Sequence, residues 1–447
     1  MANFAKPSAP RFSVEVYQNE FLPQGGRDVH AIVTVTSTGG ATATRATAAR
    51  GTAAVVIMVD CSGSMDYPPE KMRGAREATA AAVDTLRDGT SFAVIAGTHV
   101  AKEVYPGQGR LAVADPVTRA QAKEALRGLS SGGGTAIGTW LRLADGLLRQ
   151  SPAAIRHGVL LTDGRNEHED PAVLRATLDA CAGRFTCDAR GVGTDWEVKE
   201  VTGIAGALLG SADIVADPAH LAEDFTRMME NVMGKEVADV ALRLWTPVGA
   251  EIQYVKQVAP AVQDLTGRRT GAGPRAGDYP TGSWGDESRD YHVCVRVPSA
   301  SVGQEMLAAR ATLVLPGTQG TQGTPDQGPL VLAQGLVRAV WTDDLAASTA
   351  INPQVAHYTG QAELAQAIQQ GLEARKLGDV GGATAKLGRA VQLASASGNA
   401  DTAKLLAKVV DVVDAAAGTV RLKAKVADAD EMTLETRSTQ TVRVKKT

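Results

Sequence analysis

Aromatic residues are scarce in this 447-residue sequence, with Phe 6, Tyr 7 and Trp 5. Ala, Gly, Val and Thr stand in their place, which is the composition of a soluble chain of mixed α and β structure. Neither sign of charge prevails: Lys plus Arg is 46 against Asp plus Glu 49, a formal net charge of −3. That balance gives no electrostatic reason to expect nucleic acid or an anionic membrane as partner. No window approaches the roughly 18 uninterrupted apolar residues of a spanning helix, so no membrane insertion is expected. Met1 to Arg11 hold one Lys, two Pro and no apolar run, so no secretory signal is expected either. The 4 cysteines, Cys61, Cys181, Cys187 and Cys294, are spread too widely for a disulfide framework, and the Cys181–Cys187 spacing is not CxxC. They read as reduced, buried thiols of a cytoplasmic protein.

The length leaves room for roughly two or three domains, each able to bury a core. Two alternating runs, Phe12 to Tyr17 and Val29 to Val35, predict strands. A Gly/Ala/Thr-rich stretch over Ser37–Thr52 reads as a linker. From Ala53 to about Gly234, strands alternate with helices. Ala54 to Val59 is apolar at every position, as a parallel strand covered on both faces requires. Phe92–Ile95 with His99–Val104 suggest a hairpin or edge pair, and Gly158–Thr162 a second buried strand. This order predicts an open, doubly wound parallel sheet over residues 49–234. After Gly234 the period returns to two, as in Val240, Leu242 and Leu244 and again in Val293, Val295 and Val297. An antiparallel β-sandwich is expected over 235–345, with exposed hairpin loops at Thr266–Gly277 and Pro316–Gly328. Two strands alone make no stable sheet, so those within residues 1–48 are expected to complete the sandwich, with the α/β domain inserted between. Residues 346–418 read as helical, in amphipathic segments broken at Gly378 and near Gly398. The stretch from Gly378 to Asn399 faintly resembles a tetratricopeptide unit, but one unit cannot form a solenoid. The polar, charge-mixed segment 419–447 reads as a flexible tail.

Chemistry concentrates at three loops. Asp60-Cys-Ser62-Gly-Ser64, a DxSxS pattern, follows the first buried strand directly. Ser131-Gly-Gly-Gly-Thr135 precedes a helix, and Thr162-Asp163-Gly164 ends the second buried strand. Loops at the carboxyl ends of strands in an open α/β sheet converge on one crevice, so Asp60, Ser62, Ser64, Thr135 and Asp163 can meet. Oxygen donors suit a hard cation such as Mg²⁺. Each loop alone would also suit a turn or helix cap; their joint occurrence points to a cation.

At these residues the sequence resembles the von Willebrand factor A family and its metal-ion-dependent adhesion site, over about residues 53 to 234 and with all five motif positions intact. The resemblance implies that the hydroxyls of Ser62, Ser64 and Thr135 bind the metal directly, while Asp60 and Asp163 act largely through water. It implies Mg²⁺, with Mn²⁺ or Ca²⁺ as alternatives, and a protein partner that offers a Glu or Asp carboxylate to the metal. The layout is similar to that of cytoplasmic actinobacterial proteins often encoded near Ser/Thr kinases and forkhead-associated proteins. Thr433 and Thr436, set among acidic residues, are accordingly candidate phosphorylation sites, with a Ser/Thr kinase and a forkhead-associated domain as partners.

An enzyme is not expected. A haloacid-dehalogenase phosphatase needs a second Asp where Ser62 stands, and no GxxxxGK[ST] loop or GxSxG elbow occurs. His157 and His168 read as polar rim residues. Glu167-His-Glu-Asp170 reads as a solvated cap for the helix after Pro171, since neighbours in sequence cannot all face one ion. The expected function is metal-mediated protein binding, as an intracellular scaffold in signalling or stress response. Two other readings stay open: a structural protein whose metal only stabilises it, and a kinase-substrate scaffold.

Overall fold

The computed structural model describes residues 11–38, 53–316 and 328–444. The chain divides into two compact units, one of Met1–Thr44 with Asp239–Thr447 and one of Arg45–Ala238. The expected linker from residue 39 onward and the expected loop over 317–327 lie outside the described residues.

The first unit opens with β1 (Arg11–Gln18), β2 (Phe21–Leu22) and β3 (Asp28–Thr38), of which β1 and β3 pair antiparallel over their shared length.

The second unit runs β4 (Ala53–Asp60), α1 (Glu70–Thr85), β5 (Ser91–Gly97), β6 (Ala101–Tyr105), β7 (Ala112–Val113), α2 (Pro116–Leu126) and α3 (Ile137–Leu148). It continues through β8 (Ile155–Thr162), α4 (Pro171–Cys181), β9 (Thr186–Val192), α5 (Val198–Ala207), β10 (Ala212–Val215) and α6 (Leu221–Met233). Its sheet has the order β10-β9-β8-β4-β5-β6, with β7 paired to β5. β4 is central and parallel to both β5 and β8. It is apolar throughout because both of its faces are covered. Val55, Ile57 and Val59 pack against Met72 and Ala75 of α1 and Phe225 and Met229 of α6, while α3 lies across β4 and β5. Each such fully buried aliphatic side chain contributes about 1.5–3 kcal/mol. From β4 the chain steps to β5 on one side and later to β8 on the other. The loops at these carboxyl ends diverge and leave a crevice above β4.

In the first unit the chain resumes with β11 (Val237–Trp245), β12 (Glu251–Ala259), β13 (Gln263–Asp264), β14 (Thr270–Gly273), β15 (Ala276–Trp284), β16 (Glu287–Arg296), β17 (Glu305–Leu315) and β18 (Leu330–Trp341). Two sheets result, ordered β1-β3-β16-β12-β13 and β14-β15-β11-β17-β18-β2. β16 pairs with β3 from Arg296↔Asp28 to Glu287↔Ser37, so the N-terminal strands complete a sheet begun after the insertion. Val29, Ala31, Val33 and Val35 are fully buried on one face of β3, as period-two patterning demands. The expected exposed hairpin loop at Thr266–Gly277 is a tight hairpin, with part of it paired as β14 and β15.

The remainder comprises α7 (Leu345–Thr349), α8 (Pro353–Lys376), α9 (Val380–Ser397), α10 (Ala400–Val409), β19 (Val410–Asp414), β20 (Thr419–Leu422) and α11 (Asp428–Arg437). Two expectations are corrected here. Residues 410–414, read as helix, are a strand, because the run Val410-Asp-Val-Val-Asp is rich in β-branched residues that lose rotamer freedom in a helix. Segment 419–447, read as a flexible tail, is ordered as far as it is described. Leu434 is fully buried in a core with Leu364, Ile368, Leu387 and Leu406. Ion pairs fasten its charged side: Lys376–Glu435 at 2.9 Å and Lys408–Asp430 at 2.8 Å. Beyond α11, Arg443 clasps the buried Asp290 through two hydrogen bonds of 2.9 Å, and the same carboxylate accepts from Thr34 and Tyr358.

All four cysteines are free and buried. Among the described residues, no helix is long and apolar enough to cross a membrane.

Candidate metal centre

The five residues singled out in the sequence meet at the carboxyl ends of β4 and β8. The DxSxS loop leaves β4 and is tied to the Gly-rich loop by Gly63 N–H donating to the Gly133 carbonyl (2.9 Å) and Gly132 N–H donating to that of Cys61 (2.8 Å). These bonds draw Thr135 toward Ser62 and Ser64. Thr135 is then held from the other side by His168: its N–H donates to His168 Nδ1 at 3.2 Å, and His168 N–H donates to the Thr135 carbonyl at 3.0 Å.

The hydroxyl oxygens of Ser62 and Ser64 are 2.9 Å apart. A Cβ placed on Gly164 would lie 3.2 Å from Ser64 Oγ, 3.3 Å from Thr135 Oγ1 and 3.9 Å from Ser62 Oγ. Three neutral oxygens therefore surround one small space that only glycine leaves open.

Both carboxylates are already engaged. Asp60 Oδ1 accepts from Ser62 N–H at 2.8 Å and its Oδ2 from the Thr162 hydroxyl at 2.6 Å. Asp163 Oδ1 accepts from the Ser64 hydroxyl at 2.7 Å and its Oδ2 from Lys71 Nζ at 2.7 Å. Burial pushes the Asp60 carboxyl up to about 6, against the hydrogen bonds from Ser62 and Thr162 and with the help of the nearby Asp163 charge. Burial would lower Lys71, but its bonds to Asp163 and Asp195 outweigh this and hold it above the usual lysine value. Among the described residues no group of three His, Cys, Asp or Glu side chains could hold a metal ion. The donor set here is instead hydroxyl-based, and it fits a hard cation.

Several residues that build the site were not marked in the sequence. Lys71 and Thr162 hold the two carboxylates. Asn166 Oδ1 and Glu169 Oε2 accept from the first N–H groups of α3, those of Ile137 (2.7 Å) and Gly138 (2.8 Å). The Glu169 charge thereby offsets the positive end of α3 beside Thr135. The reading of Glu167–Asp170 as a solvated cap holds for Asp170, which accepts from Ala172 N–H. It fails for His168 and Glu169, which turn back onto the Gly-rich loop and α3. Nor is His157 a rim residue: it is buried and paired with Asp188 at 3.0 Å. Thr433 and Thr436 lie in α11, far along the chain from the centre and in the other unit. The Thr436 side chain is buried, and the Thr433 hydroxyl donates to the Ala429 carbonyl.

A family model described as the von Willebrand factor type A domain matches residues 53–214, and one described as the von Willebrand factor type A C-terminal domain matches residues 392–438. A solved von Willebrand factor type A protein from Catenulispora acidiphila is 52% identical, with 98% of this chain and 99% of that chain covered and a TM-score of 0.90. The chain belongs to the von Willebrand factor type A family. The similarity extends beyond the α/β unit, over 98% of this chain. The ArnB paralog VWA2 from Sulfolobus acidocaldarius shares the fold at 14% identity and a TM-score of 0.55, covering 94% of this chain and 97% of that chain. No curated protein matches the chain. The match at 392–438 also accounts for the order of α11: this segment belongs to a family module.

Proposed function

We propose that this von Willebrand factor type A protein is a metal-dependent protein-binding module without catalytic activity. Ser62, Ser64 and Thr135 would hold a divalent cation of the Mg²⁺ class, and an acidic side chain of a protein partner would complete its coordination. The observation that carries this reading is the division of labour at the site. Three neutral hydroxyls converge, while all four carboxylate oxygens of Asp60 and Asp163 accept hydrogen bonds from the protein. A cation held by neutral donors keeps most of its charge and attracts an external carboxylate. The two aspartates orient the hydroxyls, as outer partners of a metal site do.

The test is Mn²⁺ binding followed by electron paramagnetic resonance, then capture of native partners in Mg²⁺ or EDTA. Wild type should bind one Mn²⁺, and Thr135→Ala should weaken it at least about tenfold, by analogy with the loss of other metal-site partners. Partners released both by EDTA and by Thr135→Ala would support adhesion through the metal. Partners retained in every condition would move the function to the sandwich or the helices and leave the metal structural.

A further inference from the structure

The five-stranded sheet of the first unit carries a second constellation on the face opposite its sandwich core. Across β3, β16 and β12, His30 stands opposite Cys294 and Cys294 opposite Tyr254. His292, two residues from Cys294 on β16, projects to the same side. The polar tips of three of these side chains meet. His30 Nδ1 is 3.3 Å from His292 Nε2, and the Tyr254 hydroxyl is 3.2 Å from each. Their ring centroids stand farther apart, at 5.5 Å for the two histidines and at 6.2 and 5.1 Å for each with Tyr254. The rings thus radiate from a common centre with their donor atoms innermost.

Ligands bound at about 2.0–2.1 Å to a tetrahedral zinc lie ~3.3 Å from one another, which is the edge of the observed triangle. Hydrogen bonding alone serves the triangle poorly. A ring nitrogen either donates or accepts, so no neutral assignment gives each of the three edges its own proton. A single cation near the centre engages all three lone pairs at once. His30 and Tyr254 are only half-buried, which leaves a path for an ion to enter.

We propose that His30, His292 and Tyr254 form a second metal site, distinct from the hydroxyl cluster, that takes a borderline divalent cation of the zinc class with water as a further ligand. Two imidazoles select against Mg²⁺, which prefers oxygen, and in favour of zinc and its neighbours.

The experiment uses the untagged full chain, stripped with chelator and then titrated with Zn²⁺ or Co²⁺ in excess Mg²⁺. Bound metal is counted after gel filtration, and Co²⁺ geometry is read from its visible absorption. Wild type and Thr135→Ala should each retain one Zn²⁺ and give the intense bands of four-coordinate Co²⁺. Tyr254→Phe should weaken Zn²⁺ at least about tenfold, and His30→Gln should abolish the Co²⁺ bands. Zn²⁺ binding that is absent in wild type, or unchanged in both variants, would overturn the proposal. So would its loss in Thr135→Ala. Should His30→Gln fail to fold, Tyr254→Phe, which keeps the ring and its packing, decides alone.

Discussion

Replacing Lys71 with methionine tests whether the buried cation of the protein and the proposed bound cation act on the same carboxylate. Lys71 Nζ lies 2.7 Å from Asp163 Oδ2, with side-chain exposures of 6% and 0%. Its second partner, Asp195 at 2.9 Å, is 67% exposed, so water screens that pair and it adds little. Lys71→Met keeps an unbranched side chain of similar bulk and leaves Asp163 buried without a positive neighbour. Losing one member of a buried pair costs about 3–5 kcal/mol; the Ser64 hydroxyl remains on Oδ1, so the lower end, about 3 kcal/mol, is expected in EDTA. For a unit of this size that is a fall in melting temperature of roughly 6–12 °C. With a divalent cation on the hydroxyls, Asp163 regains a positive neighbour, and the cost should shrink to about 1 kcal/mol. The difference of about 2 kcal/mol must reappear as tighter binding of Mg²⁺ to the variant, roughly 30-fold. Unfolding in EDTA and in saturating MgCl₂, with calorimetric titration of Mg²⁺, measures all three quantities. Equal destabilisation in both conditions, together with unchanged affinity, would refute the coupling between Lys71, Asp163 and the metal.

Gly164→Ala should reduce Mn²⁺ binding at least about tenfold by crowding the three hydroxyls, at a cost in stability of only about 1 kcal/mol, because Gly164 is not among the residues with left-handed backbone. Unchanged Mn²⁺ resonance in this variant would move the cation away from that space. Asp188→Asn probes the buried pair with His157. Burial would raise the Asp188 carboxyl, but the charge and hydrogen bond of His157 and the charge of Arg190 outweigh it and hold it below the usual range. Its folded value is depressed, so its stabilisation is complete above about pH 4 and fades as the pH falls through the folded value. Urea unfolding should show wild type more stable than the variant at pH 7 and the gap narrowing by pH 3; a constant gap would rule out this linkage.

How legible the site was depends on what fixed each residue in place. The DxSxS, GGGT and TDG loops could be brought together from sequence because a parallel sheet puts its strand ends at one edge, whatever the details of packing. Lys71 left a fainter signal. It falls in line with Met72, Ala75, Ala78 and Ala82 on the buried stripe of α1, and a lysine on such a stripe calls for a buried acid. Which acid it meets depends on the rotation of α1 over β8, and no local pattern encodes that. The same holds for Glu169 and His168, whose partners lie about thirty residues earlier on the Gly-rich loop and α3. The C-terminal helix misled for another reason. Its apolar residues are few, and its order comes from ion pairs with α8 and α10 and from one buried leucine, so its composition alone matches that of a solvated tail. His30, Tyr254 and His292 left no signal, being drawn from three strands and separated by 224 and 38 positions in sequence.

The clasp of Arg443 on Asp290 bears on the order in which the protein is made. β1 and β3 are made before the inserted unit, yet β16, the strand that pairs with β3, follows only after it, and the guanidinium that pairs with Asp290 comes later still. The inserted unit draws its sheet from local βα steps and can close as it emerges. The paired β1 and β3 keep the other edge of β3 open until β16 has followed the inserted unit. A ribosome stalled before residue 443 would therefore carry the α/β unit with its hydroxyl cluster while the Asp290 carboxylate is still without its arginine.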